Sequence, residues 1–187
     1  MQDPIIAIQD LFKTINHSFW DTIHKIPQSG GDRIYFRIHQ GGQSWIATVS
    51  LNIKENQTFI YFAQHFKAKG LPVPEVLAIN KEGTCYIQED VGTTSLLEVL
   101  EKEGKTDHVF SLFKKSLKSL AELQVKGHQG LDYQKCLTSK LFGNQSIMSD
   151  LLYYKYYFLD SLQYPYDKQA LMNEFELLSD ELASKDF

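Results

Sequence analysis

The sequence predicts an α+β fold, in which an antiparallel sheet with one inserted helix precedes a purely helical segment. Two stretches, 33–39 and 45–51, alternate apolar and polar residues, which is typical of strands with one buried face. Between residues 52 and 69 the apolar residues recur at helical spacing, and after residue 94 only helical periodicity is found. The 187 residues, 43% of them hydrophobic, suffice for one domain or two small ones.

The first half of the chain is predicted to contain an N-terminal helix and a five-stranded antiparallel sheet. Asp3 followed by Pro4 is a typical helix start, and the apolar spacing carries this helix to about residue 17 or 20. The inserted helix is expected to end at Gly70, because glycine readily adopts the left-handed conformation that follows many helices. The strands are expected near residues 23–28, 33–39, 45–51, 75–79 and 84–89.

The second half is predicted to be helical. Four segments have helical periodicity, with Ser or Asp near their starts, and they cover residues 95–103, 107–126, 149–163 and 167–184. The stretch from Asp90 to Thr94 joins the two halves and is short and glycine-containing, which is typical of a hinge. We therefore expect two domains, residues 1–92 and residues 93–187.

The charge pattern excludes several partners. The net charge is −4 and both halves are weakly acidic, so neither half is a basic module for nucleic acid or an anionic membrane surface. We expect neither a signal peptide nor a membrane span at the N-terminus, because it lacks a basic start and Asp10 interrupts its apolar run. Cys85 and Cys136 are isolated from one another, which favours reduced thiols and a cytoplasmic protein.

The candidate chemistry begins at a glycine-rich turn between two predicted strands. The turn consists of Ser29, Gly30, Gly31, Asp32 and Arg33. Backbone N–H groups of such a turn can approach an anion closely because glycine has no Cβ, and a guanidinium binds phosphate well. A plain hairpin turn is the alternative interpretation.

Further polar side chains follow this turn along the strand. Arg33, Tyr35 and Arg37 share the face opposite Ile34 and Phe36. This polar strip faces either a cleft or solvent.

The order of the elements resembles the small lobe of the protein-kinase-like fold, followed by the first helices of its large lobe. The chain resembles the aminoglycoside phosphotransferase and choline kinase superfamily, and within it the bacterial branch that phosphorylates amino sugars such as N-acetylmuramate and N-acetylglucosamine. The resemblance covers nearly the whole chain. It is carried by residues 30–38 (GGDRIYFRI), Glu55 with Phe59, residues 70–76 (GLPVPEV) and residues 88–92 (QEDVG).

This resemblance implies ATP-dependent phosphoryl transfer to a small hydroxylated substrate, with ATP and Mg²⁺ held between a small lobe, residues 1–92, and a large lobe that is incomplete here. The two glycines of the turn would cover the phosphates, the backbone of residues 88–90 would meet adenine, and Glu55 would orient a cation. Without this role, Glu55 is a first-turn acid of its helix and Asp90 a capping or hinge residue. The residues implied for nucleotide binding are Ser29, Gly30, Gly31, Asp32, Arg33, Tyr35, Arg37, Glu55, Gln88, Glu89, Asp90 and Gly92.

Two departures from the family pattern affect the expected activity. The third strand reads Ile46-Ala47-Thr48-Val49-Ser50 and has no phosphate-binding lysine, so Arg33 or Arg37 is the expected substitute. The chain also ends at Phe187, before any His-x-Asp-x-x-x-x-Asn catalytic loop or metal-binding Asp. We therefore expect the N-terminal part of a phosphotransferase without its catalytic residues.

A second interpretation belongs to another class of protein. The chain would be a non-catalytic module of kinase-like shape that acts through a partner. A homodimer is the assembly expected in that case, because a second copy would cover the exposed face of the incomplete helical lobe.

Overall fold

The computed structural model describes residues 3–27, 31–138 and 140–184, and its internal contacts divide the chain into two units, Met1–Leu137 and Thr138–Phe187. The predicted α+β class is confirmed, since the first unit contains a five-stranded antiparallel sheet. The unit boundary follows residue 137, so the first two helices after the hinge belong with the sheet, whereas the predicted domains meet at residue 92.

The sheet has the strand order β1-β2-β3-β5-β4, and every neighbouring pair is antiparallel. Strands β2 and β3 are joined by a tight turn at Gly41 and Gly42, whose φ values of 55° and 80° suit glycine. The inserted helix follows β3, as predicted. The strands are Thr22–Lys25 (β1), Ile34–Gln40 (β2), Gln43–Val49 (β3), Val76–Ile79 (β4) and Cys85–Glu89 (β5).

One face of the sheet packs against the N-terminal helix α1, Pro4–Asn16. The Asp3 side chain accepts a hydrogen bond from the Ile5 amide at 2.9 Å, which confirms the predicted cap. Phe12 is fully buried, and its ring lies edge-on to both tryptophans of the chain, at 5.8 Å from Trp20 and 5.3 Å from Trp45. The other buried members of this core are Ile8, Leu11, Phe36, Ile38, Ala47, Cys85 and Ile87.

The opposite face is covered at one end by helix α2, Ile53–Ala68, and we call it the α2 face. Tyr86 stacks on Phe59 of this helix at 5.2 Å, and Tyr86 points away from its core neighbour Ile87 because successive strand residues face opposite ways. Asn56 is fully buried and its amide donates to the carbonyls of Ser50, at 3.1 Å, and Gly83, at 2.8 Å. These bonds fix α2 to the ends of the sheet.

The described part of the first unit also contains two further α-helices and a short 3₁₀ helix, Tyr133–Lys135. Helix α3, Leu96–Glu103, begins with a capping box, and helix α4, Asp107–His128, packs near α2. His65 Nε2 lies 2.7 Å from the Gly127 carbonyl oxygen, and a Cβ at Gly127 would lie only 2.8 Å from the Phe66 ring. The predicted stop of α2 is confirmed at Gly70, whose φ is 69°.

In the described part of the second unit, two α-helices are joined by an irregular connection. Helix α5, Asn144–Tyr154, continues as a π-helical turn, Lys155–Leu159, and precedes helix α6, Lys168–Ala183. The predicted helix over 149–163 begins earlier than expected, at Asn144, where Gly143 occupies the N-cap position without a side-chain cap. Within the described ranges, every helix is too short or too polar to span a bilayer.

Candidate functional site

Four of the described site residues, Arg33, Tyr35, Arg37 and Gln88, lie on one face of the sheet. Ile34 and Phe36 pack into the α1 core, so Arg33, Tyr35 and Arg37 point to the α2 face. Gln88 shares this face because Ile87 also belongs to the core. Ser29 and Gly30 lie outside the described residues.

An ion pair connects the sheet to helix α2. Arg33 Nη2 lies 2.9 Å from Glu55 Oε1, and the guanidinium lies over the Phe59 ring at 5.3 Å. Burial alone would lower the pKa of Arg33, but the hydrogen bond with Tyr35 and the Tyr86 and Glu55 groups outweigh it and raise that pKa above its usual value. The Arg33 side chain is 19% exposed, so the site holds a permanent cation that reaches the surface.

A second ion pair connects the hinge to β2, and we call Arg37, Asp90 and Gly92 the hinge clasp. Arg37 Nε donates to Asp90 Oδ2 at 2.6 Å, and Nη2 donates to Oδ1 at 3.2 Å and to the Gly92 carbonyl at 3.1 Å. The Gly92 amide donates back to Asp90 Oδ1 at 3.0 Å. The clasp therefore fixes the hinge backbone against the sheet.

The carboxylate of the hinge clasp is well buried, since only 4% of the Asp90 side chain is exposed. Burial raises the pKa of Asp90, but hydrogen bonds from Arg37, the Gly92 amide and Ser44 have a larger, opposite effect. The resulting pKa is below its usual value. Asp90 thus has the contacts of a hinge residue, the alternative considered for it above.

Glu89 ties the hinge to the end of α2. Its carboxylate accepts from Lys67 Nζ at 2.8 Å and from the Glu75 amide at 2.9 Å, and both bonds lower its pKa. The Glu89 amide donates to the Glu75 carbonyl at 3.0 Å, so this amide is already used within the sheet. Sequence reasoning missed Lys67, because a contact between residues so far apart in sequence leaves no local pattern.

Tyrosines and a threonine occupy the centre of the α2 face. Thr48 stands on β3 opposite Tyr35 and Tyr86 in the strand register, and it is fully buried. Burial raises the pKa of Tyr86 above its usual value, although its neighbours Thr48 and Arg33 partly oppose this. Tyr86 was missed as a site residue, although its alternation with the apolar Ile87 indicates that it lies on the α2 face.

The hinge-side row of the α2 face contains an unpaired polar atom. Arg37, Ile46 and Gln88 are neighbours in register across β2, β3 and β5. The side-chain oxygen of Gln88 is buried and has no hydrogen-bond partner among the described residues. Such an atom is costly to leave unpaired, so this row can accept a hydrogen bond from a ligand or water.

The described remainder of the glycine-rich turn is open to solvent. Gly31 and Asp32 are exposed, and Gly31 has a φ of 77°, which favours glycine at this position. Gly92 at the hinge has a φ of 105°. A side chain at either position would therefore strain the backbone.

The described residues contain no group of three or more His, Cys, Asp or Glu side chains that could hold a metal ion. No family model matches this chain, and no curated protein matches it.

Proposed function

We propose that this chain is the nucleotide-binding part of a kinase-like, ATP-dependent phosphotransferase that acts on a small hydroxylated substrate such as a sugar, an amino sugar or an aminoglycoside. The observation that carries the proposal is the Arg33–Glu55 ion pair between the sheet and the helix inserted after β3. Protein kinases need a similar pair, between a strand lysine and a helix glutamate, for phosphoryl transfer. A fixed cation of this kind suits the phosphates of a nucleotide.

The position of the glycine-rich turn supports the same assignment. Gly31 lies two residues before Arg33, so backbone amides and a guanidinium occur together at this end of the α2 face. Both groups bind phosphate oxygens. The triphosphate is therefore assigned to this end, with Gly30 and Gly31 covering it.

The contacts of the hinge favour an adenine site at the hinge end of the α2 face, opposite the Arg33 end. Arg37 joins that face to Asp90 and Gly92, so the hinge backbone borders the same surface as Arg33. Adenine is assigned to the backbone of residues 88–90, beside the unpaired oxygen of Gln88. We place the protein in the cytoplasm, where its two free cysteines remain reduced.

The proposal assigns nucleotide binding, and no catalytic step, to this chain. The sequence has no His-x-Asp-x-x-x-x-Asn motif, and the described residues provide no ligand set for Mg²⁺. In kinases Mg²⁺ bridges the phosphates and neutralises their charge. Phosphorylation of amino sugars by this chain alone is accordingly expected to be undetectable.

ATP is expected to stabilise the folded chain against heat. A ligand that binds only the folded state at ten times its Kd contributes about 1.4 kcal/mol, which raises the midpoint of unfolding by several degrees. The measurement is a thermal unfolding series in increasing ATP, with tripolyphosphate as the control for a nonspecific anion effect. An unchanged midpoint, or an equal rise with tripolyphosphate, would contradict the proposal.

A second candidate function, an interaction module that forms a homodimer, is favoured by one feature of α4. Four exposed apolar residues recur along one side of this helix, Phe110, Phe113, Leu117 and Leu120. Such a row suits the matching row of a second copy.

The dimer candidate is tested by light scattering at two protein concentrations. We expect a dimer mass that Leu117→Glu reduces to the monomer mass, whereas Lys118→Glu on the same helix leaves it unchanged. A monomer at both concentrations contradicts this candidate. A dimer whose unfolding midpoint does not respond to ATP favours it over the nucleotide-binding proposal.

A further inference from the structure

We infer that Arg33 is the side chain that binds the nucleotide phosphates in this chain, and that Arg37 instead positions the hinge. This inference rests on the proposed function and extends it, because it assigns separate tasks to two arginines, one immediately before β2 and one within it.

Strand β3 offers no cation to the α2 face. The residues of β3 that point there are Ser44, Ile46 and Thr48, since Trp45, Ala47 and Val49 pack toward α1. Thr48 is fully buried between Tyr35 and Tyr86 in the register. A cation for phosphate on this part of the sheet must therefore come from outside β3.

Arg33 meets the requirements of a phosphate-binding cation. It immediately precedes β2, its guanidinium is 2.9 Å from Glu55, and the Phe59 ring supports it from one side at 5.3 Å. These contacts orient the side chain before any ligand arrives, which lowers the entropy cost of binding. A guanidinium presents its N–H groups in a planar fork that matches two phosphate oxygens.

Arg37 has a different set of contacts. Its Nε and Nη2 atoms make three hydrogen bonds within the hinge clasp, two to Asp90 and one to the Gly92 carbonyl. A phosphate at Arg37 would have to compete with the Asp90 carboxylate, whose side chain is only 4% exposed. The Glu55 carboxylate beside Arg33 is negative too, but its side chain is 37% exposed, so solvent screens its competition with a phosphate more strongly. Arg37 therefore orders the hinge backbone for the base and leaves phosphate binding to Arg33.

The two roles predict different dependence on the number of phosphates. Arg33→Ala is expected to weaken ATP binding about 10- to 100-fold, as for loss of a hydrogen bond to a charged group, to weaken ADP binding less, and to leave adenosine binding unchanged. Arg37→Ala is expected to weaken the binding of adenosine and of ATP by the same factor. Arg33→Lys retains the positive charge but not the planar fork of N–H groups. Its affinity for ATP is expected to lie between those of Arg33→Ala and the original chain.

Isothermal titration calorimetry with ATP, ADP and adenosine tests this assignment, with Lys54→Ala as the control for loss of a positive charge beside Glu55. Thermal unfolding without ligand establishes that each variant is folded. Should Arg33→Ala fail to fold, Glu55→Gln is used instead, because it leaves Arg33 without its orienting carboxylate. This variant is expected to weaken ATP binding more than adenosine binding.

The possible failures can be told apart. If the original chain binds ATP but Arg33→Ala weakens ATP and adenosine equally, the phosphate role of Arg33 is overturned and the nucleotide site remains. If Arg37→Ala weakens the binding of ATP and ADP but not of adenosine, the assigned roles of the two arginines are overturned in the same way. Absence of binding of every nucleotide by the original chain overturns the proposed function itself.

Discussion

Replacing Phe12 by alanine is expected to lower the free energy of unfolding of the first unit by about 4 kcal/mol, the usual cost of removing a fully buried phenylalanine. Phe12 lies at the centre of the α1 core and contacts both tryptophans. The cavity would therefore open among aromatic rings that cannot easily fill it.

Urea unfolding followed by tryptophan fluorescence measures this loss. Trp20 and Trp45 are the two tryptophans of the chain and both belong to the first unit, so the signal reports the sheet even if the second unit unfolds separately. Phe19→Ala is the matched control, because the Phe19 side chain is 61% exposed and should cost less than about 1 kcal/mol. Similar losses for the two variants would contradict the assigned core.

Replacing Asp90 by alanine is expected to cost about 3 kcal/mol, because it leaves the Arg37 guanidinium beside the hinge without its carboxylate. The Gly92 amide loses its acceptor at the same time. Asp32→Ala removes the same charge from an exposed position and serves as the control, for which little change is expected. An equal loss in both variants would show that net charge, and not the clasp, determines the effect.

The same carboxylate predicts a pH dependence with a definite sign. The pKa of Asp90 is lowered in the folded state, so its stabilising contribution is present above the usual aspartate pKa of about 4 and disappears as the pH falls through the lower, folded pKa. The stability difference between the original chain and Asp90→Asn should therefore be larger at pH 7 than at pH 3. A difference that is constant between these two pH values would argue against the clasp.

Much of the fold could be predicted because it depends on local patterns. The alternation over 33–39, the cap at Asp3 and the stop at Gly70 each reflect the conformation of a few neighbouring residues. The π-helical turn at Lys155–Leu159 could not be predicted this way. The Lys155 ammonium, which is largely buried, binds Asp160 at 2.9 Å, five residues further along the chain, a spacing that the 3.6-residue helical period does not indicate.

The site was predictable only in part, for a similar reason. Alternation indicated that Arg33, Tyr35 and Arg37 share a face, but it could not distinguish the roles of the two arginines. That distinction depends on which acid each arginine reaches, Glu55 on α2 or Asp90 at the hinge. Strand register and helix placement determine these distances, and neither is encoded within a short window of sequence.

The burial of Cys85 also affects how the folded chain reacts with oxidants and alkylating agents. Its thiol is enclosed in the α1 core, and burial raises its pKa to about 12. Since the thiolate is the reactive species, almost none is present near neutral pH, and reagents reach the sulfur only when the sheet separates from α1. The folded core thus protects the Cys85 thiol from chemical modification. The rate at which Cys85 is modified would therefore report how often this core opens.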